Sequence, residues 1–167
     1  ECWGYDAQEP PNGLNNVSDI ATSSGSACSL DTTGSLTCWG NYSYSPPLNS
    51  FDAISIAEQT QCGLANGRLY CWGDYNPLGS QAPSGNSYVA LSVASQSVSD
   101  FDEGRGVCTL KDTGVLSCSC CKTGPFNEDD CSPTSNMDLC EFQPSNAEQF
   151  IHVAAGDNYG CVMRPNG

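Results

Sequence analysis

The chain has 167 residues, of which only 14% are charged, and its net charge is −14. The length suits one domain with a sizeable core. The acidic balance makes nucleic acid and anionic membrane surfaces poor partners, because both require a basic footprint. No apolar run approaches the length of a membrane span, so membrane insertion is not expected. The sequence shows no signal peptide and begins with Glu1, which we interpret as a processed or excised segment.

Twelve cysteines, with abundant Gly, Pro, Ser and Asn, are typical of a turn-rich all-β protein from an oxidising compartment. In chain order, the predicted repeat units cover about residues 5–40, 41–73, 74–120, and 147–167 together with 1–4. Each unit is predicted to form a short apolar strand, then a cysteine hairpin and then a polar loop. Repeats of this length with several short strands indicate a propeller or solenoid.

Three copies of one cysteine motif define the hairpins. They are Cys28–Gly40, Cys62–Gly73 and Cys108–Cys120, and the first two end in C-W-G. If the two cysteines of each copy face each other, a leucine pair lies next to the turn. The predicted leucine pairs are Leu30 with Leu36, Leu64 with Leu69, and Leu110 with Leu116. The predicted disulfides are Cys28–Cys38, Cys62–Cys71 and Cys108–Cys118.

The turn residues of each hairpin match the length of its loop. The longer copies place Gly34 and Gly114 last in a three-residue loop, where a left-handed residue is required. The shorter copy has Asn66-Gly67, the preferred pair of a type I′ turn. Turn chemistry therefore agrees with the pairing predicted from the cysteines.

A fourth copy is divided between the two ends of the sequence. Cys161–Gly167 matches the first half of the motif, and Cys2-Trp3-Gly4 matches the second half. We predict that Cys161 bonds a cysteine followed by Trp-Gly. That partner is Cys2 if the chain closes a ring, and the equivalent residue of a following repeat if the array continues.

Two insertions account for the longer second and third spacings between hairpins. One covers Val98–Gly106, and the other is a Cys-rich insertion loop at residues 120–146. Ser119 and Cys120 stand there in place of Trp-Gly. The four cysteines of this loop allow three connectivities, among which the sequence does not choose: Cys120, Cys121, Cys131 and Cys140. We interpret these four cysteines as crosslinks that order a long loop. The alternative is that they stabilise a protruding contact surface.

The repeat resembles the regulator of chromosome condensation repeat in its extracellular, cysteine-containing version. Val153–Gly156 is similar to the family's strand entry, and Cys62–Gly73 to its hairpin. The resemblance implies a β-propeller of about four short blades, or part of a larger propeller. Family members usually have seven blades. Extracellular relatives include ectodomains of crinkly-type plant receptor kinases and secreted bacterial propellers, some of which inhibit enzymes.

No residue pattern indicates catalysis, a cofactor or a metal. The lone histidine, His152, lies where strand alternation places it opposite the apolar face. Two acidic clusters, around Asp100 to Glu103 and Glu128 to Asp130, lack the spacing of a calcium loop. The cysteines are used in disulfides, which leaves no thiol nucleophile. We therefore expect a protein that is not an enzyme.

The remaining candidate sites are on the surface. Asn16 and Asn41 lie in N-glycosylation sequons. Four tyrosines are candidate contacts with protein or glycan partners, the alternative being that they cap blade edges: Tyr5, Tyr42, Tyr44 and Tyr75.

These observations predict a non-enzymatic extracellular or cell-surface module. It would form part of a larger cell-surface protein or a filamentous assembly, with protein or glycan partners or copies of itself. The alternative is a carbohydrate-binding or enzyme-inhibiting propeller.

Overall fold

The computed structural model describes residues 2, 9–41, 43–73, 85–99, 102–123, 129–130, 144, 148–156 and 159–166. Within residues 96–99, 102–105, 121–123 and 129–130 only the backbone is described. These parts of the chain are all β and contain no helix. The strands are β1 (Val17–Ser23), β2 (Ser26–Asp31), β3 (Leu36–Gly40), β4 (Ala53–Ala57), β5 (Thr60–Ala65), β6 (Arg68–Gly73), β7 (Tyr88–Ser99), β8 (Asp102–Lys111), β9 (Leu116–Thr123), β10 (Asp129–Asp130), β11 (His152–Ala155) and β12 (Gly160–Met163).

The strands form four separate antiparallel sheets that follow one another along the chain. The first sheet has the order β1-β2-β3 and the second β4-β5-β6. The third has the order β10-β9-β8-β7, and the fourth pairs β11 with β12. Among the described residues no strand pairing joins the fourth sheet to the first. The described part of the chain also offers no helix long and apolar enough to cross a membrane.

The predicted hairpin registers are confirmed. Cys28 pairs with Cys38, Cys62 with Cys71, and Cys108 with Cys118, and each leucine pair is opposed as expected. The turn residues have the required left-handed conformations, with φ of 85° at Gly34 and 81° at Gly114. Asn66 and Gly67 both have positive φ, 51° and 70°, as a type I′ turn requires. Local turn chemistry therefore sets the pairing of each hairpin.

The third sheet differs from the first two because its strands are longer. The predicted insertion at Val98–Gly106 extends the β7–β8 ladder, in which Gln96 pairs with Gly104 and Ser99 with Asp102. The segment predicted as a loop from residue 120 also begins as strand. Residues 120–123 belong to β9, and β10 pairs with its end. For these residues the prediction of a loop is wrong, because the β8–β9 ladder continues beyond the cysteines.

The same extension explains why the third copy departs from C-W-G. At Gly40 and Gly73, with φ of 102° and 141°, a Cβ would collide with a carbonyl oxygen of the preceding turn, that of Gly25 or Gln59. Only glycine fits such a crowded left-handed position. In the third sheet the strands β7 and β8 run on past this point without a turn. Cys120 can therefore occupy the equivalent position opposite Gly106.

The hydrophobic core is divided among the three spaces between successive sheets. The first cluster contains Cys28, Leu30, Phe51, Ile54, Ile56, Ala65 and Trp72. The second contains Ala57, Cys62, Val93 and Val107. The third contains Ala94, Cys108, Leu110, Leu116, Cys120 and Phe150, against which Val153, Ala155 and Val162 pack. Each sheet is therefore stabilised mainly by its neighbours, as in repeat architectures.

Candidate functional site

One interface is repeated between the sheets. In the first three sheets the hairpin cysteines lie on the face that packs on the following sheet, and we call this the trailing face. The opposite face, the leading face, contributes Ile54 in the second sheet, Leu91 in the third and Val153 in the fourth. Each of these residues immediately precedes the residue that pairs with the hairpin cysteine. Disulfides Cys28–Cys38, Cys62–Cys71 and Cys108–Cys118 are thus part of the contacts between sheets.

A backbone hydrogen bond joins each hairpin turn to the next sheet. The N–H of Phe51 donates to the C=O of Gly34 at 2.8 Å. The N–H of Tyr88 donates to Gly67 at 3.0 Å, and that of Phe150 to Gly114 at 3.0 Å. The three aromatic rings are buried. An aromatic residue at the entry of a unit therefore fixes the turn of the preceding hairpin.

Serine hydroxyls connect the first strands of successive sheets. Ser55 Oγ accepts from the Val93 N–H at 3.0 Å, and Ser92 Oγ accepts from the Ala155 N–H at 2.8 Å. Ser55 and Ser92 are the residues that face Cys62 and Cys108 across each sheet. The first sheet has Ala21 at this position, which has no hydroxyl to offer.

The first strands of the four sheets also surround a cavity of about 360 Å³. Its walls come from Thr22, Ser23, Ser24, Ile56, Ala57, Glu58, Val93, Ala94, Ser95, Ala155 and Gly156. The hydroxyls and the single carboxylate, that of Glu58, make this cavity polar. A cavity of this size is sufficient for a small ligand.

Two cysteines in the described part of the chain are free thiols. Cys161 is exposed and Cys2 is half-buried, and they do not bond to each other. The ring-closing alternative predicted for Cys161 is therefore wrong for this structure. The physical reason is that β12 pairs only with β11 among the described strands, so Cys161 has no third strand opposite it. A partner in another repeat stays a prediction.

The other predicted cysteines belong to the insertion. Cys120 is disulfide-bonded and buried. The side chains of Cys121, Cys131 and Cys140 lie outside the described residues, so the connectivity stays open.

The predicted surface residues are only partly described. Tyr44 is half-buried and packs against the first core cluster, which favours its role as a cap on the sheet edge. Tyr5, Tyr42 and Tyr75 lie outside the described residues. Asn16 and Asn41 are both exposed, so a glycan could reach either, and their occupancy stays a prediction.

His152 is exposed in β11 and pairs with Met163 across the sheet. Within the described residues no three His, Cys, Asp or Glu side chains are grouped as metal ligands would be. The side chains of both acidic clusters lie outside this description. The expectation that they hold no metal stays a prediction.

Sequence reasoning missed the residues that join the sheets. Three buried aromatics recur after polar loops: Phe51 and Phe150 precede the first strand of their sheets, and Tyr88 begins its own. This recurrence could have indicated them. Ser55 and Ser92 could have been found only by aligning the residues opposite each hairpin cysteine.

The repeated interface and the shared cavity define a propeller-type array of small antiparallel sheets. Solved structures confirm the fold that the sequence resemblance implies. The ectodomain of the receptor kinase CR4 from Physcomitrella patens superposes with a TM-score of 0.62 at 24% identity, over 98% of this chain and 39% of that chain. The CRINKLY WD40 ectodomain of Arabidopsis thaliana ACR4 gives 0.59 at 20% identity, over 96% of this chain and 50% of that chain.

A third solved structure, of a yeast protein, is also similar. Prp20p of Saccharomyces cerevisiae, the yeast RCC1, gives a TM-score of 0.56 at 16% identity, over 95% of this chain and 45% of that chain. The chain thus spans half or less of each of these proteins. No protein-family model and no curated protein matches the sequence significantly. The structural likeness therefore shows an RCC1-type and CRINKLY WD40 propeller fold.

Proposed function

We propose that the chain is a non-enzymatic extracellular structural and interaction module, within a larger cell-surface protein or a filamentous assembly. The observation that carries the proposal is the disulfide built into each of the three interfaces between sheets. Such bonds form and persist in oxidising compartments. Two of the similar structures are receptor-kinase ectodomains.

The residues available for chemistry support the absence of catalysis. His152 is exposed, and across the sheet it faces Met163, which is neither an acid nor a nucleophile. General acid–base catalysis needs a second group within hydrogen-bond reach. The described strands bring none to His152. We infer that the chain provides a surface for interaction with a partner and not a reaction centre.

Protein is the partner class that the fold favours. Prp20p, which has the same fold, is described as binding Gsp1p and histones, so the fold can present protein-binding surfaces. For this chain, with its net charge of −14, we expect no binding to nucleic acid. The polar cavity supports a second candidate, carbohydrate binding, although none of its lining residues is aromatic.

A cell-binding experiment distinguishes these candidates. The fluorescently labelled chain is applied to cells pretreated with protease, with glycosidases, or untreated, and to a glycan array. Loss of saturable binding after protease, with no selective glycan on the array, supports a protein partner. Retention after protease with selective glycan binding would support the carbohydrate candidate and overturn the leading one. The reduced and alkylated chain is the control for non-specific adhesion.

A further inference from the structure

The first strand of the third sheet continues past the point where the first strand of the second sheet ends. β7 runs to Ser99, whereas β4 ends at Ala57. Ala57 corresponds in register to Ala94, because each lies two positions after the residue that faces a hairpin cysteine. Residues 95–99 of β7 therefore lie beyond the end of β4.

This extension has a free edge. β7 is the last strand of its sheet and pairs only with β8 among the described strands. The N–H of Val93 points away from β8, since it donates to Ser55 Oγ of the second sheet at 3.0 Å. Backbone groups alternate in direction along an antiparallel strand, and the ladder is regular from Ala90 to Ser97. The N–H and C=O groups of Ser95 and Ser97 therefore point to the same free edge as those of Val93.

The free edge lies beside the polar cavity. Ser95 and Glu58 both line this cavity of about 360 Å³. Ser95 is on the same face of β7 as Val93, two residues earlier, and Val93 packs with Ala57 in the second core cluster. The edge thus meets the cavity next to the end of β4. Glu58 is the one charged residue among the described lining residues.

We propose that an extended segment of a partner protein adds to the free edge of β7 as a further strand, with a lysine or arginine side chain beside Glu58. Edge strands with unpaired backbone groups bind extended peptides in this way. This inference rests on the proposed function and names the kind of protein segment that is bound.

The position of Glu58 favours a basic segment. Paired residues of neighbouring strands have their side chains on the same face, so the partner residue opposite Ser95 points to the side of the second sheet. Neighbouring strands lie about 4.8 Å apart, and a long side chain at that position extends toward Glu58. Glu58 is half-buried, so its attraction for a cation is screened less than that of an exposed carboxylate. The net charge of −14 adds a general attraction for basic segments.

Short capped peptides of alternating lysine and threonine test the strand addition by fluorescence anisotropy. We expect saturable binding, and slower hydrogen exchange of the Ser95 and Ser97 amides in the complex. Methylation of the lysine amides removes the donors that face β7 and should abolish binding. Methylation of the threonine amides, which point away from β7, should change the affinity by less than about twofold. A peptide with glutamate in place of lysine should not bind.

Variants of the chain test the edge and the carboxylate separately. Ser97→Pro removes one N–H from the free edge and leaves the β7–β8 bonds intact, so it should weaken binding at least about tenfold. Ser97→Ala retains this N–H and should bind like the parent. Glu58→Gln should weaken binding at least about fivefold. Glu9→Gln is the matched control, because Glu9 is exposed and not part of the cavity wall, and it should leave the affinity unchanged.

Three outcomes decide against the inference. Equal binding of the peptide methylated at its lysine amides would show that charge alone attracts it, and absence of saturable peptide binding would exclude the site. Selective binding of a glycan that Glu58→Gln abolishes, without peptide binding, would assign the cavity to carbohydrate instead. Protease-sensitive cell binding in the absence of peptide binding would still support the proposed function. Peptide binding without any cell binding would contradict the proposed function alone.

Discussion

Removing the disulfide of the third sheet tests how much the hairpin crosslinks stabilise the array. The double variant Cys108→Ala/Cys118→Ala opens a loop with a sequence separation of 10 residues. Loop-closure entropy then gives a loss of about 3 kcal/mol. Cys108 is 2% exposed, so truncating it adds roughly 1 kcal/mol for the lost packing. We expect the free energy of unfolding to fall by about 4 kcal/mol.

Urea denaturation in an oxidising buffer measures this loss. Domains of this size have a total stability of only about 5–15 kcal/mol, so the midpoint should shift markedly. Cys161→Ala is the matched control, since Cys161 occupies the same strand position but is free and exposed. It should cost less than about 0.5 kcal/mol in dilute protein. A double variant as stable as the parent, or a control that loses as much stability, would show that the Cys108–Cys118 bond does not stabilise the array.

Three smaller perturbations test other parts of the structure. Ser92→Ala removes the acceptor of the Ala155 N–H and should cost about 1–2 kcal/mol in the same denaturation assay. The Thr33 hydroxyl, at 2.6 Å, and the Ser35 N–H hold the pKa of Asp31 below its ordinary value of 3.8, so Thr33→Val should raise that pKa in an NMR titration. Because the pKa is lowered by folding, this stabilisation is present above the unfolded value and is lost as the pH falls through the lowered pKa. Dialysis against a chelator should leave the melting temperature within about one degree, and a larger drop would reveal a structural metal.

The hairpins could be predicted from the sequence because their information is local. Cysteine spacing, the leucine pairs and the turn residues Gly34 and Asn66-Gly67 all specify the same register. Each of these signals depends on residues within one short segment. The resemblance to known repeats then supplied the propeller fold, which the structural likenesses confirm.

The contacts between sheets could not be predicted in the same way. Ser92 bonds Ala155 across a separation of 63 residues, and a serine in a strand gives no local sign of such a partner. The lengthened cysteine spacing predicts an insertion at Val98–Gly106, and this segment is rich in residues that disfavour strands. Its strand structure comes from continuing the ladder between β7 and β8. The pairing between β7 and β8, and not the strand propensity of the residues, therefore determines the structure of this segment.

The partner of Cys161 could not be predicted from the local motif. The motif shows that a cysteine partner is required opposite it, but not which chain provides that partner. The structure excludes the simplest candidate within the described chain, because Cys2 is also free.

Mapping the disulfides of unreduced protein shows whether each interface between sheets contains a hairpin crosslink. Trypsin cuts after Arg68 and Lys111, and a protease that cleaves before aspartate cuts at Asp31, so every hairpin is opened between its cysteines. We expect fragment pairs that separate only on reduction: Cys28–Cys38, Cys62–Cys71 and Cys108–Cys118. Any of these six cysteines bonded outside its own hairpin, or recovered as a free thiol, would contradict it.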